Sequence, residues 1–205
     1  MFTGLIREKA RVISFIRDKL TIKAEYVPKI GDSIAVNGVC LTVVSVKSGE
    51  FSVELSHETK DLVAIENYKN EVHIEPAMRL SDRLEGHILQ GHVDTIGLIS
   101  KIEKKEKSFD FFIKIDKEFI KFLIPKGSVA VDGVSLTVNS VYDDSFRLTI
   151  IPHTIKNTLF EKYKVGDRVN IETDMFARYI YHMFKKGNSN RSLSWDDIDK
   201  IMANY

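Results

Sequence analysis

The sequence contains the same block of eleven residues twice. Residues 33–43 read SIAVNGVCLTV and residues 128–138 read SVAVDGVSLTV, with eight identical positions at an offset of 95 residues. This period is much longer than the roughly 20–50 residues of a solenoid unit, so each copy must enclose a core of its own. We therefore predict two homologous domains in tandem.

Further matches between the two halves follow in the same order. The tetrapeptide VHIE at 72–75 matches VNIE at 169–172, and TGLI at 3–6 is aligned with IGLI at 96–99. Three single positions keep the offset of 95, namely Phe51 with Phe146, Leu55 with Ile150 and Thr59 with Thr154. These matches predict a first domain over residues 1–87, a second over 88–184 and a tail over 185–205.

The pattern within each copy is that of β-structure. Asn37-Gly38 and Asp132-Gly133 are strong hairpin-turn signals between segments rich in β-branched residues. About six short strands are expected per copy, a number that suits a small barrel whose closure removes exposed sheet edges. The predicted fold class is all-β, with two six-stranded antiparallel barrels of Greek-key type and a C-terminal helical tail.

The tail has helical patterns. Asp174 is placed to cap a helix through MFARYIYHMFKK that ends at Gly187, and WDDIDKIMANY at 195–205 predicts a second helix. The first helix carries an apolar stripe that would pack either on the second barrel or on another subunit. The stripe contains Met175, Tyr179, Ile180, Met183 and Phe184.

Composition excludes several classes of function. Thirty basic and 29 acidic residues leave a net charge of +1, which lacks the electrostatic footprint of a nucleic-acid-binding protein. Cys40 is the one cysteine, so neither an internal disulfide nor a cysteine-rich zinc site can form. The N-terminus does not have the pattern of a signal peptide, and no apolar run is long enough for a membrane span. We expect a cytoplasmic protein with neither nucleic-acid nor membrane partners.

The repeat places small nucleophilic side chains at equivalent positions. Cys40 corresponds to Ser135, and Thr42 and Thr137 follow two residues later on the same strand face. This pattern indicates either one pocket built twice or small residues that fit a barrel interior. A lone Lys126 is ordinarily a solvated charge.

Two histidines stand in the segment GHILQGHVD at 86–94. His87 and His92 are five residues apart, so they would point to opposite faces of a strand and would not share a pocket or a metal. Either one could be a hydrogen-bonded structural residue. His57-Glu58 lacks the second histidine of a zinc-protease helix, and no metal site is expected.

Together, MFTGLI, NGVCLTV, DGVSLTV and GHILQGHVD resemble the riboflavin synthase family of the α-chain type, from Met1 to about Tyr179. The resemblance implies that each barrel binds one 6,7-dimethyl-8-ribityllumazine. It also implies transfer of a four-carbon unit between two such molecules, without a cofactor, giving riboflavin and 5-amino-6-ribitylaminouracil. It further implies a homotrimer held by the C-terminal helix, a site between the first barrel of one chain and the second barrel of a neighbour, and lumazine synthase as a candidate partner.

The resemblance also assigns residues. It implies catalytic roles for Phe2, Thr3, Cys40, His92 and Ser135. Position by position, it implies substrate contacts from Gly4, Leu5, Ile6, Ser33, Cys40, Leu41, Thr42, Glu54, Leu55, Ser56, His57, Glu58, Thr59, Gly91, His92, Val93, Lys126, Ser135, Leu136, Thr137, Ile150, Ile151, Pro152, His153 and Thr154.

As a mechanistic hypothesis, His92 and the hydroxyl groups of the first barrel assist removal of a proton from the C7 methyl group of one lumazine. Cys40, Ser135 or a water beside them adds to C7 of the other or protects it. The alternative is a relative that binds lumazine or flavin without turnover. A barrel for oligonucleotides or sugars would need aromatic and basic stripes on one face, and the strands do not show a convincing one.

Overall fold

Each copy of the repeat folds into a closed six-stranded antiparallel barrel, which confirms the predicted fold class. The structure is a computed structural model, and it describes residues 1–187. The first barrel has the order β1-β2-β5-β4-β3-β6. Its strands are β1 (Glu8–Ile16), β2 (Lys19–Lys23), β3 (Ser33–Val36), β4 (Val39–Lys47), β5 (Glu50–Glu54) and β6 (Glu71–Pro76).

The second barrel repeats this topology one half-chain later. Its closed order is β10-β11-β8-β7-β12-β9. Its strands are β7 (Thr95–Lys104), β8 (Phe109–Lys114), β9 (Ser128–Val131), β10 (Val134–Val141), β11 (Ser145–Ile150) and β12 (Arg168–Thr173). The helices are α1 (His57–Leu62), α2 (Lys117–Ile120), α3 (Pro152–Asn157) and α4 (Met175–Gly187).

The two predicted hairpins are present. Asn37 and Gly38 have φ values of 45° and 81°, and Asp132 and Gly133 have 44° and 81°. Positive φ at both central residues matches the right-handed twist of the flanking strands, which is why Asn-Gly and Asp-Gly favour this turn. Both hairpins join the third and fourth strands of their barrels.

Each barrel has its own core, as a repeat of this length requires. Alternate strand residues point inward, so Ile34, Phe51 and Ile74 are fully buried in the first barrel. Phe146 and Ile171 have the same role in the second barrel. Equivalent register shifts occur in both barrels in the first and fourth strands, and such bulges give a strand the bend that closure needs.

The two barrels meet through their hairpin turns. His73 on β6 donates from Nδ1 to the carbonyl of Asp132 at 2.9 Å, and Asn170 on β12 donates from Nδ2 to the carbonyl of Asn37 at 2.9 Å. His73 is equivalent to Asn170, and Asp132 is equivalent to Asn37, so the two contacts are the same contact made in opposite directions. The interface therefore has approximate twofold symmetry within a single chain.

A short segment precedes each barrel, residues 2–4 before the first and residues 89–91 before the second, and each of these crossing segments contacts the opposite barrel. The backbone of Phe2 pairs with that of Leu89, and the carbonyls of Gly4 and Gly91 accept from amides of the opposite barrel. Gly4 is thus equivalent to Gly91. The predicted alignment of TGLI with IGLI is wrong, because residues 96–99 lie within β7 whereas residues 3–6 precede β1.

The predicted helix after Asp174 is confirmed as α4. The Asp174 carboxylate accepts from the amide of Phe176 at 2.9 Å and so caps the first turn. Tyr181 packs edge-on against Phe122 of the second barrel, with ring centroids 5.4 Å apart, whereas the predicted stripe is mostly exposed, with Met183 at 70%. The second predicted helix, at 195–205, lies outside the described residues. No helix within residues 1–187 has the length and apolar character to cross a membrane.

Candidate active site

The crossed segments line two equivalent cavities, one at each barrel. The first has a volume of about 220 Å³ and the second about 560 Å³. The first is lined by Val39, Cys40, Glu58, Thr59, Leu62, Val63, Gly91, His92 and Val93. The second is lined by Gly4, Leu5, Ile6, Arg7, Glu8, Lys9, Val134, Ser135, His153, Thr154, Asn157 and Thr158.

One backbone hydrogen bond recurs in both cavities. The amide of Cys40 donates to the carbonyl of Gly91 at 2.9 Å, and the amide of Ser135 donates to the carbonyl of Gly4 at 2.9 Å. Cys40 and Ser135 are the second residues of the fourth strands, right after the hairpin turns, so their positions are fixed by sheet pairing on one side. The crossing segments fix them on the other side. Each cavity therefore combines a strand of one barrel with a segment that belongs to the other half of the chain.

Two buried carboxylates anchor the crossing segments. Glu75 accepts from the amides of Thr3 at 2.7 Å and Gly4 at 3.0 Å. Glu172 accepts from the amides of Gln90 at 2.8 Å and Gly91 at 3.0 Å. A bidentate carboxylate of this kind holds two consecutive amides in one orientation. The two glutamates come from equivalent positions of β6 and β12, so each barrel anchors the segment that contributes to the opposite cavity.

Burial governs the protonation of both glutamates. Glu75 and Glu172 are 6% and 3% exposed. Burial raises the pKa of Glu75, and the amide hydrogen bonds oppose this shift. Burial raises the pKa of Glu172 to about 7, against the same kind of amide bonds and the nearby Arg178 guanidinium. Because loss of solvation disfavours the charged form, each carboxyl holds its proton more tightly than it would in water.

The cavities differ in the side chains that they offer to a ligand. The first presents the Cys40 thiol and the His92 imidazole. The second presents the Ser135 hydroxyl, and Leu5 stands at the position equivalent to His92. Within residues 1–187 no group of three or more potential ligands is arranged to hold a metal ion. The side chains present are suited to hydrogen bonding and proton transfer.

Comparison with known proteins agrees with this duplicated arrangement. The family model of the lumazine binding domain matches residues 3–77 and again residues 90–174. Riboflavin synthase of Bacillus subtilis is 38% identical over 201 residues, covering 94% of each chain. Riboflavin synthase of Photobacterium phosphoreum is 39% identical over 214 residues, covering 98% of each chain. The chain belongs to the riboflavin synthase family.

Solved structures share the fold. LumP complexed with riboflavin superposes with a TM-score of 0.76 at 21% identity, covering 84% of this chain and 99% of that one. LumP complexed with 6,7-dimethyl-8-(1'-D-ribityl) lumazine gives a TM-score of 0.72 at 20% identity over the same shares. At this level of identity the comparison speaks for the double-barrel fold alone.

About half of the site residues that the riboflavin synthase resemblance implies lie in the two cavities. In the first these are Cys40, Glu58, Thr59, Gly91, His92 and Val93. In the second they are Gly4, Leu5, Ile6, Ser135, His153 and Thr154. The prediction that His87 and His92 do not share a pocket agrees with the cavity linings, since only His92 lines one.

The remaining predicted residues lie elsewhere in this member of the riboflavin synthase family. Leu41, Leu55 and Ile150 are buried in the barrel cores, and Leu136 packs against the second core. Phe2 is 1% exposed in a small apolar cluster with Ala35, Leu89 and Ala130, and Thr3 is buried beside Glu75. Outside both cavity linings are Ser33, Thr42, Glu54, Ser56, His57, Lys126, Thr137, Ile151 and Pro152.

Sequence reasoning missed the two anchoring glutamates. The signal was present, because VHIE and VNIE repeat a glutamate at the same position of two matching strands. It also missed Leu62 and Asn157, at equivalent positions in α1 and α3, which line the two cavities. These follow the matched Thr59 and Thr154 by three residues, one helical turn on.

Proposed function

We propose that this protein is an enzyme, a riboflavin synthase, which transfers a four-carbon unit between two molecules of 6,7-dimethyl-8-ribityllumazine. The products are riboflavin and 5-amino-6-ribitylaminouracil, which together contain all the atoms of the two substrates. The observation that carries this proposal is the pair of equivalent cavities in one chain. A reaction between two copies of one molecule requires a binding site for each copy, and the repeat supplies two cavities lined at equivalent positions.

The main contribution of the protein is orientation. The substrate ring is electron-poor and its C7 methyl group is acidic, so the reactants themselves supply much of the chemistry. Holding two rings in reacting geometry can contribute about 7–11 kcal/mol to lowering of the barrier. The rigid anchoring of the crossing segments by Glu75 and Glu172 supports this role, because both cavities depend on those segments.

The polar side chains then accept and donate protons during the reaction. In the first cavity, His92 takes the proton that leaves the C7 methyl group of one lumazine. Cys40 or Ser135, or a water that they hold, adds to C7 of the other molecule. These assignments rest on the position of His92 beside Cys40 in one cavity and on Ser135 in the other. Proton transfer requires a separation of about 2.6–3.2 Å between the heavy atoms.

The working site brings together the first barrel of one chain and the second barrel of a neighbour in a trimer. The support is the exposed apolar face of α4, on which Tyr179, Met183 and Phe184 are 59%, 70% and 71% exposed. Large exposed apolar patches mark interfaces. Sedimentation of the Phe184→Glu variant should show a smaller particle than the wild-type trimer. A wild-type monomer at assay concentration would contradict this arrangement.

The direct experiment is riboflavin formation from purified lumazine, measured by chromatography for the wild type and for Cys40→Ala, His92→Ala and Ser135→Ala. We expect each variant to bind lumazine and to turn it over more slowly. Ser108→Ala, in the turn between β7 and β8 and outside both cavities, is the control and should keep full activity. Full turnover by all three cavity variants would refute the role assignment.

A lumazine- or flavin-binding protein without turnover is the second candidate, favoured by the shared fold with LumP. The presence of Cys40 in one cavity and Ser135 in the other argues against it, because a carrier does not need a reactive side chain in both cavities. The same assay separates the two functions, because a carrier would bind lumazine and form no riboflavin. The cytoplasmic location and the association with lumazine synthase stay predictions from the sequence.

A further inference from the structure

The Ser135 hydroxyl of the second cavity has an imidazole as its hydrogen-bond partner. Nδ1 of His87 lies 2.7 Å from Oγ of Ser135, although the two residues are 48 positions apart. Ser135 lines the cavity and His87 does not. His87 is only 9% exposed. The imidazole therefore stands behind the hydroxyl, outside the space that a ligand would occupy.

The backbones of both partners are held by the N-terminal segment. The amide of His87 donates to the carbonyl of Thr3 at 3.1 Å, and the amide of Ser135 donates to the carbonyl of Gly4 at 2.9 Å. Glu75 in turn fixes the amides of Thr3 and Gly4. The distance between the imidazole and the hydroxyl is thus set by a buried backbone network. Two side chains fixed in this way lose little further entropy when they orient a ligand.

The surroundings of His87 determine which ring nitrogen carries the proton. Burial lowers the pKa of His87, against the opposing charge of Asp174, so the ring is neutral near pH 7. Nε2 is buried and has no hydrogen-bond partner within residues 1–187. An unpaired buried N–H group is rarer in proteins than an unpaired acceptor. The favoured tautomer therefore carries its proton on Nδ1 and leaves Nε2 as a bare acceptor.

We propose that His87 is a positioning residue of the second cavity, whose Nδ1–H donates to Ser135 Oγ and turns the hydroxyl proton toward the bound substrate. The inference rests on the proposed function, because only that function places a lumazine beside Ser135. With its oxygen occupied by His87, the hydroxyl donates to an acceptor atom of the ring system. A donor fixed before the reaction stabilises developing negative charge without reorganisation.

A double-mutant cycle tests this role. We would measure kcat and KM for riboflavin formation with the wild type, His87→Leu, Ser135→Ala and the double variant. Each single change should lower kcat about tenfold. Because His87 acts through Ser135, the double variant should be no slower than Ser135→Ala, within about twofold. Additive losses would overturn the proposal.

Two polar replacements separate positioning from a structural contribution. His87→Asn places an amide near the position of Nδ1 and should keep kcat within about threefold of the wild type. His87→Gln places its amide near Nε2 and should be as slow as His87→Leu. These two variants also provide the test if the leucine variant does not fold. Equal activity of the asparagine and glutamine variants would overturn the proposal.

The remaining outcomes distinguish this proposal from the function on which it rests. Wild-type protein that forms no riboflavin would refute both. An active wild type together with a fully active Ser135→Ala would refute the role of His87 alone. Long-range ¹H–¹⁵N correlation spectra of the wild type should show the Nδ1–H tautomer of His87. The Nε2–H tautomer would refute the proposed direction of the hydrogen bond.

Discussion

The backbone of Gly38 packs directly against the backbone of Gly133. A Cβ on Gly38 would lie 2.7 Å from the amide nitrogen of Gly133, and one on Gly133 would lie 2.8 Å from that of Gly38. Both glycines also need a φ of 81°, which L side chains rarely adopt. The glycine of the repeated motif therefore has two roles in each half. It permits the hairpin turn, and it allows the two barrels to touch at that turn.

Replacement of Gly133 by alanine should be much more destabilising than an ordinary change in a turn. Gly49 is the matched control, since its φ is 80° and a Cβ at this position would have no neighbour within 4 Å. Gly49→Ala should cost about 1–2 kcal/mol of unfolding free energy, from the left-handed conformation alone. Gly133→Ala should cost at least about 2 kcal/mol more, because rigid backbone must move. Equal losses in urea unfolding would contradict the close packing of the two turns.

Asp132 gives the interface a dependence on pH. Its buried carboxylate accepts from the amide of Asn170 at 2.7 Å and from the hydroxyl of Tyr163 at 2.5 Å. Burial raises the pKa of Asp132 from 3.8 to about 7, against these hydrogen bonds. The folded state therefore binds the proton more tightly than the unfolded state. This contribution to stability is present below pH 4 and is lost as the pH rises toward 7.

Asp132→Asn should remove the loss of folding stability that occurs as the pH rises toward 7. The equivalent residue in the first barrel is Asn37, so an amide fits this turn, and its NH₂ group can donate to the Tyr163 oxygen. The variant should be more stable than the wild type above pH 7, with the difference shrinking by up to about 1.4 kcal/mol per pH unit toward pH 4. Unfolding free energies between about pH 4.5 and pH 8, from above the lower pKa to above the higher one, provide the measurement. Parallel pH profiles would exclude a buried carboxylate as the cause.

His73 acts in the opposite direction. Its Nε2 accepts from the amide of Leu159 at 2.7 Å while Nδ1 donates to Asp132. Burial lowers the pKa of His73 from 6.5 to about 4, so only the unfolded chain binds a proton between these values. Stability is therefore lost as the pH falls from 6.5 toward 4. The equivalent Asn170 makes the same two kinds of contact with Ala64 and with the facing turn.

His73→Asn should accordingly keep the stability of the wild type at pH 7 and lose less on acidification. His73→Leu is the contrasting variant, because it leaves the Leu159 amide and the Asp132 carbonyl without partners. It should be about 2–4 kcal/mol less stable than the wild type at pH 7, and this difference should shrink on acidification, because leucine does not titrate. Thermal or urea unfolding at about pH 5, where only the unfolded chain binds the proton, and at about pH 7, where neither state does, distinguishes the variants. An asparagine variant as acid-sensitive as the wild type would show that His73 does not titrate in this way.

The fold was predictable because local signals and the repeat agreed. Asn37-Gly38 and Asp132-Gly133 identify the hairpins from two residues each, and Asp174 identifies the start of α4. The crossing of the N-terminal segments was not predictable. Phe2-Thr3-Gly4 and Leu89-Gln90-Gly91 share only the glycine, and their equivalence depends on long-range hydrogen bonds to Glu75 and Glu172.

The candidate site, like the fold, was only partly predictable from the sequence. The repeat itself matched Cys40 with Ser135, and these residues occupy equivalent places in the two cavities. The contact of His87 with Ser135 has no counterpart in any sequence pattern, because it joins a connecting segment of one half to a strand of the other. A sequence shows which side chains are available. The crossing of the two halves determines which of them meet.

The crossing segments permit one cavity to be disturbed at a time. A Cβ on Gly91 would lie 2.6 Å from Cβ of Cys40, whereas one on Gly4 would lie 2.5 Å from Cβ of Ser135. Gly91→Ala should therefore displace Cys40 and weaken lumazine binding at the first cavity, and Gly4→Ala should do so at the second. Each variant should titrate with one strong lumazine site per chain instead of two, and riboflavin formation should fall at least about tenfold. Gly31→Ala is the control, with a φ of 92° and no neighbour within 4 Å. Two intact sites in Gly91→Ala would show that the segment does not shape the first cavity.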